Sequence, residues 1–221
     1  VRFGAETDTD DSDGQVAARS QLRPGRADIL ALLPRFLGTI QQTPPAFSAI
    51  KINGERAYDI ARDGETPELS ARPVTIHSLD LLSADCDEAV FETRCGKGAY
   101  VRAIARDLGR LLGCFGHVTA LRRTRVGPFA EADAVALSEL GEGGAGAPAM
   151  RRVEAGLMEL PRVVVDRDAA ARLRRGQSIL LRGADAPMDG SAYAACCGVV
   201  IAVGAVEKGE LVPGRVFNLP F

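Results

Sequence analysis

The chain has 221 residues, of which 46% are hydrophobic and 25% charged, and its formal net charge is −2. That length buries a real core in one domain or two, and the composition is that of an ordinary globular protein. The charge balance excludes a histone-like binder of polyanions, yet it permits a local basic face. Five cysteines without a C-x-x-C pair indicate neither a disulfide framework nor a zinc site, and they read as reduced thiols of a cytoplasmic protein, with Cys196 and Cys197 as strand residues. No apolar run approaches the roughly 20 residues of a membrane span, and no signal-peptide pattern is seen.

The chain opens on Val1 rather than methionine, and VRFGAETDT reads as the last half of a strand entering a turn, as though begun inside a domain. Asp8 to Gly14 is an acidic turn without the closing glutamate of a calcium loop. Residues 27–37 place Ile29, Leu30, Leu33, Phe36 and Leu37 at helical spacing, with a kink at Pro34. Residues 41–65 carry a proline pair near their start and little apolar periodicity, and they spread Lys51, Arg56, Tyr58 and Arg62 among small residues. A long, mobile excursion with a basic-aromatic surface is expected there.

Strands are predicted over Val74–Leu82 and Ala89–Cys95, the second alternating clearly. From Tyr100 the period becomes helical: Val101, Ile104, Ala105, Leu108 and Leu111 or Leu112 form one apolar stripe. Arg102, Arg106 and Arg110 lie four apart on another face, and Arg106 is expected to tolerate lysine. The segment CGKGAYVRAIARDLG, residues 95–109, is thus strand, glycine turn, helix, but it matches neither G-x-x-x-x-G-K-(S/T) nor G-x-G-x-x-G. Val126–Phe129 reads as a further strand. GEGGAGAPA, residues 141–149, is the strongest linker signal in the chain. Beyond it, Asp166 caps a short helix closed by Gly176, and apolar strands are predicted at 178–182, 193–206 and 211–218.

His77 and His117 are too few and too far apart for a recognisable metal set, and no G-x-S-x-G elbow is present. Spacing alone selects no acid–base pair among the many carboxylates. What stands out is a basic constellation of Lys51, Arg56, Arg62, Lys97, Arg102, Arg122, Arg123 and Arg125 with Tyr58 and Tyr100 between them. Lysine and arginine neutralise phosphates, while tyrosine rings and arginine planes stack on unpaired bases. The other reading of these residues is a solvated charged surface with two half-buried tyrosines.

Four segments in order, TDTDDSDG, QQTPPAFSAIKINGERAYDIARDG, CGKGAYVRAIARDLG and HVTALRRTRVGPF, resemble successive blocks of the TruB family of tRNA pseudouridine synthases. The resemblance implies an α+β fold with a mixed sheet and flanking helices over residues 1–140. It also implies a linker at 141–159 and a small PUA-like β-barrel that binds RNA at 160–221, where the LRRGQ turn lies. It further implies isomerisation of the uridine at position 55 of the tRNA T-arm, with the base flipped out of its stack and no metal or organic cofactor. The family's arginine that pairs with the catalytic aspartate matches Arg102, its base-contacting tyrosine Tyr100, and its pocket-closing leucine Leu121. The RNA-gripping loop matches 41–65, so Lys51, Arg56, Tyr58, Lys97, Arg122 and Arg123 are the implied RNA contacts of a monomer.

The family's nucleophile lies in a G-(T/A)-L-D-P block, which these residues do not contain; Asp11 matches an acidic position near the site but not the nucleophile. The chain is therefore expected to be a family member represented without its N-terminal part. Two other readings are a non-catalytic RNA-binding protein with the same pocket rim and a metabolic enzyme using the glycine turn for a small phosphate.

Overall fold

The first predicted strand is broken in two. In the computed structural model, which describes residues 1–140, 150–183 and 186–219, β1 (Arg2–Phe3) and β2 (Ala5–Thr7) flank Gly4. Gly4 has a φ of 99°, a region that side chains avoid. The acidic turn then reverses the chain into β3 (Val16–Arg19), antiparallel to β2. Helix α1 (Arg26–Leu32) runs into a 3-10 turn over Leu33–Phe36, with Pro34 in its first turn, where a missing N–H costs little. Ile29, Leu33 and Phe36 are its buried residues.

β4 (Gly38–Gln42) leads into the excursion expected to lack regular structure. It contains a hairpin instead, β5 (Lys51–Ile52) with β6 (Glu55–Arg56), followed by α2 (Ala57–Arg62). The turn is Asn53–Gly54, both at positive φ, as a tight hairpin connection of this kind demands. β7 (Arg72–Ala84) and β8 (Ala89–Cys95) complete an antiparallel sheet in the order β4-β7-β8. Along β7 the buried side changes from Val74 and Ile76 to Leu79, because the register against β8 shifts between Ile76 and Ser78.

Helix α3 (Val101–Leu111) buries Ile104, Ala105 and Leu108 of the predicted stripe, while Leu111 is half exposed. The core gathers Phe3, Ile29, Leu33, Phe36, Ile76, Leu79, Ile104 and Leu108. β9 (Gly116–His117) returns antiparallel to β1, and Asp11 and Val118 form a parallel bridge. The expected mixed sheet is thus distributed over one three-stranded sheet and short ladders among the described residues.

Chain contacts divide at Leu121 and Arg122, ahead of the sequence-based boundary at 140. The second unit opens with a hairpin, β10 (Arg125–Val126) with β11 (Phe129–Ala130), and then short 3-10 turns. The glycine-rich linker at 141–149 lies outside the described residues, and Val153–Leu157 within the expected linker is a 3-10 turn. β12 (Arg162–Val164) precedes α4 (Arg167–Arg174), which starts on an Asp166 carboxylate accepting the Ala169 N–H at 2.8 Å. It ends at Gly176, with the Gly176 N–H bonded to the Leu173 carbonyl and the Gln177 N–H to that of Arg172.

The rest is a five-stranded sheet in the order β12-β14-β15-β16-β13, comprising β13 (Ile179–Leu180), β14 (Gly190–Cys196), β15 (Val199–Glu207) and β16 (Glu210–Val216). The strand predicted at 193–206 is two strands. Cys197 and Gly198 take positive φ values of 51° and 78° and turn the chain, so Cys197 is a turn residue rather than a strand residue. The second core centres on Leu173, Ile201 and Leu211.

Gly109 lets α3 lie directly on the chain that leads into β9: a Cβ there would overlap the backbone of Phe115 and Gly116. Alanine ordinarily stabilises a helix interior by about 1 kcal/mol relative to glycine. Gly109→Ala should instead lower stability by about 1–3 kcal/mol in urea unfolding, as overpacked sites do. A neutral or stabilising result would contradict this seating of α3.

Candidate active site

Helix α3 begins without a capping side chain. Tyr100 at its N-cap is extended (φ −106°, ψ 113°), and the side chain of Gln42, at the end of β4, pairs with both of its backbone polar groups. The Gln42 Oε1 accepts the Tyr100 N–H at 2.8 Å, and its Nε2 donates to the Tyr100 carbonyl at 3.2 Å. Buried polar atoms need such partners, and Gln42 is fully buried. On the ring side, the Arg72 guanidinium lies 5.4 Å from the Tyr100 centroid.

The arginines of α3 meet the N-terminal carboxylates in sequence, because the acidic segment runs opposite to the helix. Arg102 donates from Nη1 to Asp11 Oδ2 at 3.0 Å and to the Thr9 carbonyl at 2.8 Å, and from Nη2 to the Phe47 carbonyl at 2.8 Å. Arg106 donates from Nη1 to Asp10 Oδ2 at 3.0 Å, from Nε to Asp107 at 2.8 Å and from Nη2 to the Thr43 carbonyl at 2.7 Å. Arg110 closes the row on Glu6, with Nε to Oε2 at 2.7 Å.

Side-chain exposure along the row is 25%, 7% and 53%. Arg106 therefore does not face water, and the expectation that lysine would serve there is revised. Charge periodicity reports a polar helix face, but it does not say whether water or a row of carboxylates covers that face.

A cleft of about 240 Å³ opens beside this row, lined by Asp11, Ser12, Asp13, Arg102 and Val118 to Leu121. Three predicted residues, Arg102, Asp11 and Leu121, thus share one cavity; Tyr100 is not among its lining residues. The Asp11 carboxylate is occupied by Arg102, the Thr9 hydroxyl at 2.6 Å and the Asp13 N–H at 3.1 Å, an acceptor role within the turn. Arg102 has five donors, and three are used; its Nε and one Nη2 hydrogen have no partner among the described residues.

Lys51 and Arg56 are exposed and stand directly opposite each other across β5–β6, a like-charge pairing that a hairpin does not favour by itself. Tyr58 meets Phe47 edge-on at 6.1 Å and carries the Arg62 guanidinium 4.5 Å from its centroid. Lys97 is exposed in the glycine turn. Arg122 and Arg123 fall in the second unit, where Arg122 pairs with Glu131. His77 is exposed, and the buried His117 ring donates from Nδ1 to the Ala5 carbonyl at 2.9 Å. Among the described residues no three His, Cys, Asp or Glu side chains are grouped to hold a metal ion.

Reading the sequence missed Gln42, Phe47, Asp10 and Arg106. Their partners lie 55 to 96 residues away, and no local pattern marks such pairs.

Residues 1–101 match the model of the TruB family pseudouridylate synthase N-terminal domain, and residues 102–145 that of the tRNA pseudouridylate synthase B C-terminal domain. A tRNA pseudouridine synthase B of Bradyrhizobium diazoefficiens is 55% identical over 99% of this chain and 66% of its own length. One from Agrobacterium fabrum is 50% identical over 99% of this chain and 73% of its own. In a solved Cbf5–Nop10–Gar1 complex, one chain superposes with a TM-score of 0.67 at 20% identity, covering 98% of this chain and 65% of that one, a likeness of fold. The chain belongs to the TruB family of pseudouridine synthases. It spans about two thirds of the length of the curated relatives that it matches.

Burial raises the Asp10 carboxyl from 3.8 to about 6, outweighing the opposing attraction of Arg106; Glu6 and Asp107 push it further up, and Arg110 opposes them. Because the folded value lies above the unfolded one, the folded state holds the proton more tightly. The resulting stability is complete below pH 4 and is lost as pH rises through 6. This contribution is on the order of 3 kcal/mol. Asp10→Asn should flatten that part of the stability curve, measured by urea unfolding between pH 4 and 7. An unchanged slope would show that another group titrates there.

Proposed function

We propose that this chain is the greater part of a tRNA pseudouridine synthase that isomerises uridine 55 of the T-arm. Residues 1–140 belong to its catalytic domain, 141–159 to a linker and 160–221 to a PUA-like RNA-binding domain. It acts as a cytoplasmic monomer. The uridine leaves its stack, the bond from C1′ to N1 breaks and a bond from C1′ to C5 forms. C5 gives up its proton and N1 gains one, so product and substrate are isomers and no redox partner is required.

The nucleophilic aspartate belongs to the G-(T/A)-L-D-P block, which these 221 residues do not contain. Arg102 orients that carboxylate and keeps it ionised, Tyr100 lies against the base and Leu121 closes the pocket. The observation that carries this reading is the Arg102 guanidinium: three oxygens hold it at the cleft wall, and two N–H groups are left for a further acceptor.

Incubated with a T-arm hairpin, the 221 residues should yield no pseudouridine above an enzyme-free control. Joined to a relative's segment carrying the G-(T/A)-L-D-P block, they should turn over in the presence of a chelator. In that joined protein Arg102→Lys keeps the charge but loses the planar two-pronged donor, so the single-turnover rate should collapse by orders of magnitude with little change in RNA affinity. Turnover by the 221 residues alone, or a nearly full rate for Arg102→Lys, would overturn the assignment.

RNA grip is assigned to Lys51, Arg56, Tyr58, Lys97, Arg122 and Arg123. If about four of the cations meet phosphates, log K should fall with log salt at a slope near −3, at roughly 0.7–0.9 per contact. Replacing both Lys51 and Arg56 by alanine should make that slope shallower by about 1–2. A salt-independent affinity would count against the phosphate contacts.

A further inference from the structure

We propose that Asp10 and Arg106 form a positioning pair that holds the two backbone segments on which the Arg102 guanidinium rests. The inference rests on the functional reading of Arg102 given above. Arg106 joins the acidic turn, through Asp10, to the segment after β4, through the Thr43 carbonyl. Arg102 takes its own backbone partners from the same two segments, the carbonyls of Thr9 and Phe47. Thr9 immediately precedes Asp10. Between Thr43 and Phe47 lie Pro44 and Pro45, both buried, whose fixed φ stiffens the stretch so that a hold at Thr43 reaches Phe47.

Asp10 is tied on other sides as well. Its φ of 62° is a conformation that aspartate tolerates better than most residues, its N–H donates to the Thr7 carbonyl at 3.2 Å and its carbonyl accepts the Val118 N–H at 3.0 Å. Val118 lines the same cleft as Arg102. One buried guanidinium therefore holds the acidic turn and the segment after β4 from one helical turn behind Arg102, and the residue it holds, Asp10, is bonded in turn to Val118 at the cleft.

The choice of arginine fits this task. Its nitrogens point in three directions, to Asp10, Thr43 and Asp107, and all three are occupied. A lysine ammonium would keep the charge beside Asp10 but could not span all three acceptors. If charge balance alone mattered, Asp107 next in sequence would neutralise Arg106 without drawing Asp10 under cover.

The test follows the Arg102 side chain in the isolated chain by NMR, its Nη–H signals being assigned by their loss in Arg102→Lys. Three hydrogen bonds should hold rotation of the guanidinium slow and keep these signals separate in the parent. Arg106→Lys and Arg106→Gln should merge them into one averaged signal, as should Asp10→Ala, whereas Asp10→Asn, which keeps an acceptor oxygen, should restore them.

In the protein joined to an aspartate-bearing segment, Arg106→Lys should slow single turnover on the order of 100-fold, the scale of a small misplacement at a reacting centre, with RNA affinity within about twofold. Variants that lose stability while the Arg102 signals stay separate would overturn the inference, since the pair would then be a packing element only. Failure of both Arg106 variants to fold would count against it in the same way. A parent chain that binds no T-arm RNA would sink the functional reading, while the NMR result would still decide the positioning role.

Discussion

A row of three arginines on one helix face, answered by three carboxylates from the start of the chain, holds the site together. Helix α3 carries Arg102, Arg106 and Arg110 at one-turn intervals, and Asp11, Asp10 and Glu6 meet them in reverse order. An exposed ion pair contributes little; the outer Arg110–Glu6 contact lies above that limit, because its carboxylate is largely covered and takes two parallel bonds from a half-exposed guanidinium. The middle pair is different. With both side chains under cover, removing Arg106 leaves the Asp10 carboxyl buried without its cation, which is far more costly than the pair itself is favourable. The row thus has a rigid centre and a more open member at either end, and the cleft is built at one of those ends.

Backbone oxygen atoms take as large a part in the site as side chains. The Arg102 guanidinium rests on the carbonyls of Thr9 and Phe47, and Tyr100 is placed by an amide side chain that reads both of its peptide groups. These contacts tie the acidic turn, the end of β4 and the start of α3 into one unit. A change at any of the three segments is felt at the guanidinium, although the acidic turn and the end of β4 lie far from it in sequence.

Much of this was legible in advance where the signal was local. The stripe of Ile104, Ala105 and Leu108, the alternation of β8, the Asp166 cap and the Gly176 stop all rest on spacings within a few residues, and each is realised. The Asn53–Gly54 dipeptide is a local hairpin signal as well, but the stretch around it lacks apolar periodicity and so reads as irregular, although a tight turn needs no such period. The burial of Arg106 was not legible. Four-residue spacing of arginines describes a solvated face and an ion-paired one equally well, and only the fold brings Asp10 across from 96 positions away. The single strand read at 193–206 failed for a related reason: Cys197 takes a positive φ that is uncommon for cysteine, so nothing but the following glycine announced a turn.

The opposition of Lys51 and Arg56 bears on the free protein as well as on any complex. Two strands of two residues each give a hairpin little cooperativity, and the facing cations work against the few hydrogen bonds that close it. This hairpin is therefore placed at the weak end of the local stability scale, where segments open without unfolding the rest. Added salt screens the repulsion and tightens the hairpin, yet the same salt weakens its attraction for a polyanion. Ionic strength thus acts on this segment in two opposite senses: it promotes local order in the unliganded chain and withdraws the counter-charge that would otherwise provide it.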